Sequence, residues 1–318
     1  MMRYRRLRNS GLKVSEIALG GWLTLGGSVE EKTSIDLILK AFDAGINLFD
    51  MADVYSAGQS EVMLGKALKS LPREQVVVAT KVRGRMHDGP FGAGLSKKHI
   101  IQACEASLKR LETDYIDLYQ FHAPDPDTPL EESLEALDVL RYQGKILYAG
   151  VSNFNSDQIL HAVSVAEAYG FPRVISSQPR YNMMQRSFED EVAPACELKG
   201  IGNIIYSPLA QGILTGKYKT RGDYPPDSRA GTAAGKFMQD LLEQDTTWVT
   251  LDRLRSVAAE TGMTLTQLAL LWNLRLPVVT ANIVGATKVS HLEEAIGTMK
   301  FPPLDHETLT MIERALAS

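Results

Sequence analysis

Several features that would mark a disulfide-rich, metal-binding or membrane protein are missing from this 318-residue sequence. Its two cysteines, Cys104 and Cys196, belong to no CxxC pair and no Cys/His cluster, so we expect buried structural thiols and no metal site. No window approaches the roughly 18 uninterrupted apolar residues of a membrane span. The arginines near the N-terminus are not followed by the apolar region of a signal peptide. These absences predict a cytoplasmic protein without membrane insertion.

An excess of one charge is missing as well. The sequence has 34 Lys and Arg residues against 38 Asp and Glu residues, with a formal net charge of -4 and no long run of either sign. Binding to nucleic acid would need a basic excess. We therefore expect no nucleic acid as a partner.

Strand-like and helix-like segments alternate along the whole chain, which is typical of an α/β fold built from βαβ units. A short β-hairpin is predicted around Asn9, Ser10 and Gly11. Eight strand-like segments follow it: IALG, INLFD, VVVATK, YIDLYQFH, ILYAGVS, VISSQ, NIIYS and NIVGA. This number predicts a (β/α)8 TIM barrel with the N-terminal β-hairpin at its floor. Because no linker or repeat interrupts the alternation, residues 1–318 are predicted to form a single domain.

Helix-like segments fill the intervals between these strands, and two extra C-terminal helices are predicted at residues 265–274 and 304–316. Glu31 follows Ser28 by three residues, which predicts a capping box for the first helix, and Ser96 predicts an N-cap for the third. The remaining helices are predicted at residues 30–44, 60–69, 97–111, 130–142, 156–169, 188–199, 250–261 and 289–297.

About forty residues separate the seventh strand-like segment from the next long helix. Long loops in compact domains are usually functional or disordered. This one is rich in glycine and carries Lys217, Lys219, Arg221 and Arg229. We predict a lid over a cofactor or substrate, and a solvated variable insertion is the alternative.

Three consecutive strand-like segments end at ionisable residues, namely Asp50, Lys81 and His122, and Tyr55 follows Asp50 by five positions. Each residue alone has an ordinary structural explanation, such as a turn cap or a packed core side chain. In a barrel of parallel strands, however, the carboxyl ends of the strands open onto one face, where active sites are built. The sequence therefore predicts that these four side chains meet.

These residues belong to a longer series of motifs: GxNxFDxAxxY, the Lys and His at the next two strand ends, VSNF, SSQPxYN, YSPLAQGxLTGKY and IVGATKVxHLEE. In this order, over essentially the whole chain, they resemble the aldo-keto reductase superfamily. The YSPLA and GATK segments resemble the branch that contains the β subunits of Shaker-type potassium channels and their microbial relatives. The resemblance implies an NADPH-dependent enzyme that reduces an aldehyde or ketone to an alcohol.

The chemistry that the resemblance implies suits the four strand-end residues. Tyr55 would donate the proton to the carbonyl oxygen. Its pKa, ordinarily near 10, would be lowered by the Lys81 ammonium, whose charge Asp50 would hold, so that Asp50 acts only through Lys81. His122 would orient the carbonyl as a neutral imidazole. Trp22, Tyr55 and His122 would contact the substrate, with Met51 and Met86 as further candidates for an apolar wall.

The sequence lacks a GxGxxG motif linked to a strand, so a dinucleotide would not be held in the Rossmann manner. The resemblance implies a different set of contacts. Ser152, Asn153 and Gln178 would bind the nicotinamide carboxamide, and Tyr206 would stack on the ring. The other cofactor residues that it implies are Gly21, Trp22 and Asp50 near the nicotinamide; Ser207, Pro208, Leu209, Gln211, Gly212, Lys217 and Arg229 at the pyrophosphate; and Gly285, Thr287, Lys288, His291 and Glu294 at the adenosine.

Two positions depart from the family pattern, because relatives tend to carry Arg or Gln, and Asn, where this chain has His291 and Ala295. A neutral histidine binds phosphate less well than arginine does. We expect NADP(H), since Thr287, Lys288 and Arg229 can still bind a 2′-phosphate. Use of NAD(H) as well stays open.

The resemblance also leaves alternatives open. One is a regulatory subunit that uses a bound cofactor as a redox sensor for a potassium channel, with little turnover. Channel β subunits of animals carry Asn where this chain has His122, and they have a long segment before the barrel, whereas here the barrel is expected to begin almost at once. Both features favour the enzyme. An unrelated (β/α)8 enzyme is a third interpretation, and assembly into a homo-oligomer stays open.

Overall fold

The computed structural model describes residues 1–226 and 228–317. Within these ranges the chain forms ten strands and twelve α-helices. The strands are β1 (Tyr4–Arg6), β2 (Lys13–Ser15), β3 (Ile17–Gly20), β4 (Leu48–Asp50), β5 (Val77–Val82), β6 (Ile116–Phe121), β7 (Ile146–Ser152), β8 (Val174–Gln178), β9 (Gly202–Ile205) and β10 (Val279–Val284). The helices are α1 (Glu31–Asp43), α2 (Gln59–Leu68), α3 (Lys97–Leu111), α4 (Leu130–Tyr142), α5 (Ser156–Tyr169), α6 (Phe188–Glu191), α7 (Ala193–Lys199), α8 (Gln239–Leu242), α9 (Asp245–Glu260), α10 (Leu265–Asn273), α11 (Val289–Gly297) and α12 (His306–Leu316).

Strands β3 to β10 pair in parallel and close into a barrel in chain order, with β10 returning to β3. Every residue of β5 and β6 is buried, as expected for parallel strands that are covered on both faces. The predicted (β/α)8 TIM barrel is confirmed. Its eight carboxyl ends open onto one face, and this face carries the side chains described below.

The predicted N-terminal hairpin is confirmed as well. Strand β1 pairs antiparallel with β2, with Tyr4 opposite Ser15. Leu7 and Val14 are fully buried and pack in one cluster with Ala18 and Leu48 of the barrel strands. The hairpin therefore closes the floor of the barrel, and the opposite end remains available for chemistry.

Several helix boundaries agree with the sequence prediction to the residue, including those of α3, α4, α5 and α11. The Ser96 hydroxyl caps α3 by accepting from the His99 N–H at 3.3 Å. The capping box predicted for α1 is wrong. That helix begins at Glu31 without a side-chain cap, and the Ser28 hydroxyl donates to the Leu23 carbonyl at 2.7 Å instead.

Other boundaries differ from the prediction, and proline explains one of the differences. The helix predicted at residues 188–199 is divided into α6 and α7 at Val192. Pro194 lies in the first turn of α7, where its missing N–H is tolerated, whereas the interior of one long helix would lose a hydrogen bond there. Helix α9 begins at Asp245, five residues before the predicted start, and β10 begins three residues before its predicted start.

The long segment after β9 contains the short 3₁₀ turns Ala210–Thr215 and Ala233–Phe237 as well as α8. Two of its side chains reach back to the end of β3. The Phe237 ring lies edge-on to the Trp22 ring at 5.1 Å between centroids, and the Arg229 guanidinium lies 5.4 Å from the Trp22 ring centroid. The segment thus covers part of the open face of the barrel.

Candidate active site

Lys81 is at the centre of a hydrogen-bonded cluster inside the mouth of the barrel. It lies near the end of β5 and is fully buried. Its ammonium donates to Asp50 Oδ2 at 2.7 Å, to the Met51 carbonyl at 2.8 Å and to the Tyr55 hydroxyl at 3.2 Å. An ammonium has three N–H donors, so all three are used. The strand ends thereby bring Asp50, Tyr55 and Lys81 together.

The backbone after β4 holds Tyr55 in this position. The Asp53 N–H donates to the Lys81 carbonyl at 3.3 Å, and the Tyr55 N–H donates to the Ala52 carbonyl at 3.1 Å. Ser56 and Ala57 then adopt left-handed backbone with φ of 50° and 53°. Such conformations cost free energy in residues other than glycine and persist where the surroundings impose them. They turn the chain sharply from the Tyr55 loop into α2.

His122 follows β6 and faces Tyr55 across the mouth of the barrel. The Tyr55 hydroxyl and His122 Nε2 are 3.5 Å apart, at the outer limit of a hydrogen bond. The two rings are edge-on with centroids 5.5 Å apart. The hydroxyl and the imidazole nitrogen therefore border the same small space, where both could reach one substrate oxygen.

The ionisation of this cluster follows from burial and from the Lys81–Asp50 pair. Burial alone would lower the pKa of Lys81, but Asp50 and Tyr55 outweigh it, and the pKa is raised. The pKa of His122 is lowered to about 3 by burial and by the charges of Lys81 and Arg83. At neutral pH the lysine is therefore an ammonium and the histidine is a neutral imidazole, as the sequence predicted.

The expected pKa of Tyr55 is wrong in its net direction. Burial raises the pKa of the phenol, and Lys81 lowers it as predicted but by a smaller amount, so that the pKa ends above its ordinary value. The side chain is almost completely enclosed in the barrel mouth, which disfavours the phenolate. Tyr55 consequently keeps its proton at neutral pH.

Asp50 has a second partner that the sequence did not reveal. Its Oδ1 accepts from Gln178 Nε2 at 2.8 Å, across the barrel from β8. The prediction that Asp50 acts only through Lys81 therefore needs correction, since the carboxylate also fixes a residue predicted to bind nicotinamide. No described residue donates a hydrogen bond to the Gln178 amide oxygen, which can still accept from a carboxamide.

The other residues predicted at the nicotinamide are joined in a second network. The Asn153 amide donates to the His122 carbonyl at 2.9 Å and to the Ser152 hydroxyl at 3.0 Å. The Tyr206 hydroxyl donates to Asn153 Oδ1 at 2.8 Å, and the Ser152 hydroxyl donates to the Gln178 carbonyl at 2.9 Å. The half-exposed Tyr206 ring is thus anchored beside His122.

The segment predicted at the pyrophosphate has an unusual backbone. Ser207, Ala210 and Gln211 all have left-handed φ values, of 55°, 47° and 60°. Gln211 donates to the Ser207 hydroxyl at 2.6 Å and accepts from Arg229. A Cβ on Gly212 would lie 3.1 Å from Lys217 Nζ, so the absence of a side chain at this position leaves room for the Lys217 ammonium beside the turn. Pro208 is buried and Leu209 is half-buried in the same turn.

Arg229 supports the fit of an anionic cofactor at this place. Burial lowers its pKa, and among the described residues no carboxylate oxygen lies within 4.0 Å of its guanidinium nitrogens. A partly buried cation without a carboxylate partner is unfavourable by itself. A phosphate would supply the missing charge, so the residues present fit a dinucleotide here.

The residues predicted at the adenosine lie where β10 leads into α11. Lys288 is the N-cap residue of α11, and the Thr287 hydroxyl is 3.2 Å from His291 Nδ1. Gly285 is exposed and Glu294 is half-buried. An anion near Lys288 would benefit from the N-terminal end of the helix. Ala295, one of the two departures from the family pattern, is buried.

Met51, directly after β4, lies differently from the prediction. Met51 is fully buried, and a Cβ on Gly21 would approach its sulfur at 2.6 Å. Glycine at position 21 therefore makes room for Met51 behind the site, and the expectation that Met51 forms a substrate wall is wrong. Trp22 is half-exposed beside Phe237 and Arg229, and Met86 is half-exposed as well.

Sequence reasoning missed a buried acidic pair directly behind the cluster. Asp53 is fully buried, its Oδ1 accepts from the Val54 N–H at 2.7 Å, and its Oδ2 has no hydrogen-bond partner in the described part of the chain. Glu61 is also fully buried and accepts from the Thr80 hydroxyl at 2.6 Å and from Arg110 Nε at 2.7 Å. The available signal was a second aspartate three residues after Asp50, but a loop has no periodicity that reports burial.

Replacing Asp53 by asparagine is expected to stabilise the protein at neutral and alkaline pH. Burial and the nearby Glu61 raise the pKa of Asp53 from 3.8 to about 7. The folded state thus binds a proton that the unfolded state has released, and the resulting stability is present below about pH 4 and lost as the pH rises to about 7. Because a tenfold change in proton affinity is worth about 1.4 kcal/mol, Asp53→Asn should gain at most about 4 kcal/mol above pH 7.

Urea denaturation between pH 5 and pH 8 measures this gain. Asp43→Asn, at an exposed position at the end of α1, is the control and should show no pH-dependent difference from wild type. A gain for Asp53→Asn that is equal at both ends of this pH range, or a loss at pH 8, would contradict the expectation.

A comparison with protein families shows to which family this chain belongs. The model described as "Aldo/keto reductase family" matches residues 16–317. The chain belongs to the aldo/keto reductase family. As a member it is an NAD(P)H-dependent oxidoreductase that acts on carbonyl groups, and the resemblance predicted from the motifs is confirmed.

Individual relatives agree with the predicted branch of this family. A protein named "Probable voltage-gated potassium channel subunit beta" from Oryza sativa subsp. japonica is 37% identical over 321 residues, which cover 100% of this chain and 97% of the rice protein. An Arabidopsis thaliana protein of the same name is 37% identical over 306 residues, covering 95% of this chain and 93% of that protein. A "Putative voltage-gated potassium channel subunit beta" from Schizosaccharomyces pombe is 38% identical over 321 residues, covering 98% of this chain and 93% of that protein.

The described part of this aldo/keto reductase chain has neither a metal-binding cluster nor a helix suited to a membrane. Its His, Cys, Asp and Glu side chains form no group of three that could hold a metal ion. None of its helices combines the length and the apolar character needed to cross a bilayer.

Proposed function

We propose that this aldo/keto reductase reduces an aldehyde or a ketone to an alcohol with NADPH, and that Tyr55 is the general acid. The observation that carries the proposal is the position of the Tyr55 hydroxyl, 3.2 Å from Lys81 Nζ and 3.5 Å from His122 Nε2 at the open end of the barrel. A proton donor must lie within hydrogen-bond reach of the carbonyl oxygen that receives it.

When bound, the nicotinamide supplies the hydride, and the protein side chains manage the proton. Tyr55 donates its proton to the carbonyl oxygen as negative charge develops there. The phenolate that remains is stabilised by Lys81, whose own charge is held by Asp50. His122, neutral because burial and nearby cations keep its pKa low, donates an N–H to the same oxygen and orients it. The raised pKa of Tyr55 keeps the donor protonated at neutral pH.

We assign the cofactor contacts in three groups. Ser152, Asn153 and Gln178 bind the carboxamide, and Tyr206 lies against the nicotinamide ring. The 207–212 turn with Lys217 and Arg229 binds the pyrophosphate. The start of α11 binds the adenosine and its 2′-phosphate, through Thr287 and Lys288. The strongest support for this assignment is the partly buried Arg229, which has no carboxylate partner among the described residues.

Loss of NADPH absorbance with a panel of aldehydes and ketones tests the activity, and NADPH fluorescence on mixing with the protein tests binding of the cofactor. Reduction of at least one carbonyl compound, with transfer of hydride from labelled NADPH to the alcohol product, supports the proposal. Absence of binding by both NADPH and NADH would exclude it.

A preference for NADPH is expected to depend on Lys288. Removing its charge with Lys288→Met should raise the Kd for NADPH about tenfold, the size of one charge-assisted hydrogen bond, and should leave the Kd for NADH nearly unchanged. Fluorescence titration with each cofactor measures both constants.

Arg229→Gln is the matched comparison, because Arg229 is assigned to the pyrophosphate that both cofactors share. Arg229→Gln should raise the Kd for NADPH and the Kd for NADH by similar factors. An equal rise in the Kd values of both cofactors in Lys288→Met would contradict the assignment of Lys288 to the 2′-phosphate.

A second candidate function is favoured by the names of the relatives, which are described as subunits of voltage-gated potassium channels. In this case the chain would bind a channel and use the redox state of its cofactor as a signal, with little turnover. Co-purification with a co-expressed voltage-gated potassium channel tests binding. Turnover numbers of an ordinary enzyme without channel association would favour the reductase, and His122 beside Tyr55 agrees with that outcome.

We further propose that residues 1–318 act as one domain in the cytoplasm. Limited proteolysis that leaves a single resistant fragment supports one domain, and cell fractionation tests the location. Light scattering after size exclusion decides whether the chain forms a homo-oligomer.

A further inference from the structure

Arg83 lies at the rim of the barrel mouth and was not assigned a role by the sequence motifs. It follows Lys81 by two positions and is half-buried. Its backbone has φ of 140°, a strained value for a residue other than glycine, and its carbonyl accepts from the Gly94 N–H at 2.9 Å. Strained backbone of this kind is concentrated at functional sites.

The Arg83 side chain is fixed beside the end of β6. Its Nε donates to the Pro124 carbonyl at 2.9 Å, and Pro124 follows His122 by two positions. The two other guanidinium nitrogens donate to no described residue and are not enclosed. The cation is also close enough to His122 to contribute to the lowered pKa of the imidazole. One edge of the guanidinium is therefore anchored, and its two terminal nitrogens remain available near the reacting centre.

Among the residues that the structure describes, no carboxylate pairs with this cation. Asp125 is one carboxylate close enough for the charge of Arg83 to contribute to its lowered pKa. Its oxygens accept from the Leu95 N–H at 2.6 Å, the Thr128 hydroxyl at 2.9 Å and the Asp127 N–H at 3.2 Å. Among the described residues, no carboxylate oxygen lies within 4.0 Å of the Arg83 nitrogens.

The charges within the Asp50, Tyr55, Lys81 and His122 cluster are balanced. The Lys81 ammonium is paired with Asp50 at 2.7 Å, and His122 and Tyr55 are neutral at neutral pH. Arg83 is thus an unbalanced positive charge at the edge of the space in which a carbonyl compound would lie. A planar guanidinium with two free NH2 groups matches a carboxylate or phosphate in geometry as well as in charge.

We propose that Arg83 binds an anionic group of the substrate, so that the preferred substrates are aldehydes or ketones that carry a carboxylate or a phosphate. This inference rests on the proposed carbonyl reductase function and deepens it. Asp50, Tyr55, Lys81 and His122 would act on the carbonyl group, and Arg83 would select the molecule that carries it.

The test compares substrates that differ mainly in charge. para-Carboxybenzaldehyde and para-formylphenyl phosphate are the anionic probes, and the methyl ester of the first is the neutral probe. The meta isomers are included because the span from Arg83 to the carbonyl is set by the substrate. For wild type we expect the ratio of kcat/KM for an anionic probe to that for the ester to be at least tenfold in favour of the anion and to fall with added salt. The carboxylate and phosphate arms separate the two anion types.

The variant Arg83→Gln should lower this ratio about 10- to 100-fold, mainly through KM, which is the size expected for loss of a charge-assisted hydrogen-bond pair. Arg83→Lys keeps the charge without the planar fork and should lie in between. Arg85→Gln, at an exposed position on the same loop, is the control and should leave the ratio unchanged. A ratio near one in wild type, or an equal loss for anion and ester in Arg83→Gln, would overturn the proposal.

Binding without turnover distinguishes this inference from the function on which it rests. Calorimetry of para-(hydroxymethyl)benzoate and its methyl ester, each added to the protein with NADP+, reports recognition of the anion directly. Weaker binding of the acid alone in Arg83→Gln supports the site even if no carbonyl is reduced. Equal binding of acid and ester by wild type would overturn it, whatever the turnover.

Discussion

Tyr55→Phe is expected to remove most turnover and to leave cofactor affinity nearly unchanged. The substitution deletes only the hydroxyl that lies 3.2 Å from Lys81 Nζ and 3.5 Å from His122 Nε2. The aromatic ring at position 55 should keep its place in the loop that follows β4. General acid catalysis by a positioned side chain contributes about 100- to 10,000-fold, so we expect kcat to fall within this range. Steady-state turnover together with fluorescence titration of NADPH measures both quantities.

Tyr119→Phe provides a matched control for this prediction. Tyr119 is fully buried on β6, and its hydroxyl has no hydrogen-bond partner within residues 1–226 and 228–317, so removing that hydroxyl should leave kcat close to wild type. Single-turnover hydride transfer by Tyr55→Phe at the wild-type rate would contradict the role of Tyr55 as the acid. A comparable loss in Tyr119→Phe would show that any buried hydroxyl matters here.

The part of the site that could be predicted from the sequence depends on local pattern. Alternation of segments predicted the barrel, and the positions of Asp50, Lys81 and His122 at strand ends predicted that they would share one face. In the structure, Lys81 lies within hydrogen-bond distance of Asp50 and Tyr55, and Tyr55 lies within hydrogen-bond distance of His122. Their catalytic roles stay predictions, because proximity alone does not measure proton transfer.

Contacts across the barrel could not be predicted in the same way. Gln178 and Asp50 are separated by 128 residues and meet only because β8 and β4 face one another inside the closed sheet. Arg83 contacts the Pro124 carbonyl after the neighbouring strand β6, through a side-chain direction that no periodicity predicts. The fold must be known before such pairs can be named.

The burial of individual side chains is also difficult to predict from the local sequence pattern. The pKa of Tyr55 depends on the balance between burial and the Lys81 charge, and only the structure shows that burial is larger. The same holds for Asp53, which lies in a short loop yet is fully buried. A sequence shows which groups can titrate, whereas the direction of the shift follows from their surroundings.

Lys81→Met should cost as much turnover as Tyr55→Phe and, unlike it, should also cost stability. The change removes donors to Asp50, Met51 and Tyr55 and leaves the Asp50 carboxylate buried with Gln178 as its remaining partner. Removing one partner of a buried ion pair typically destabilises by about 3–5 kcal/mol. Urea denaturation of Lys81→Met and Tyr55→Phe in parallel with turnover measurements separates the two effects, and wild-type activity in Lys81→Met would rule out its role beside Tyr55.

The cause of the stability loss can be isolated with the double variant Lys81→Met with Asp50→Asn. Asparagine keeps an oxygen that can accept from Gln178 but carries no charge, so the double variant should recover much of the stability lost by Lys81→Met alone. It should recover none of the turnover, because the phenolate of Tyr55 would still lack its ammonium. A double variant as unstable as Lys81→Met would show that the loss comes from missing packing and hydrogen bonds rather than from the uncompensated Asp50 charge. Recovery of stability without activity would separate two roles of one lysine: balancing a buried carboxylate in the folded protein and stabilising a phenolate during the reaction.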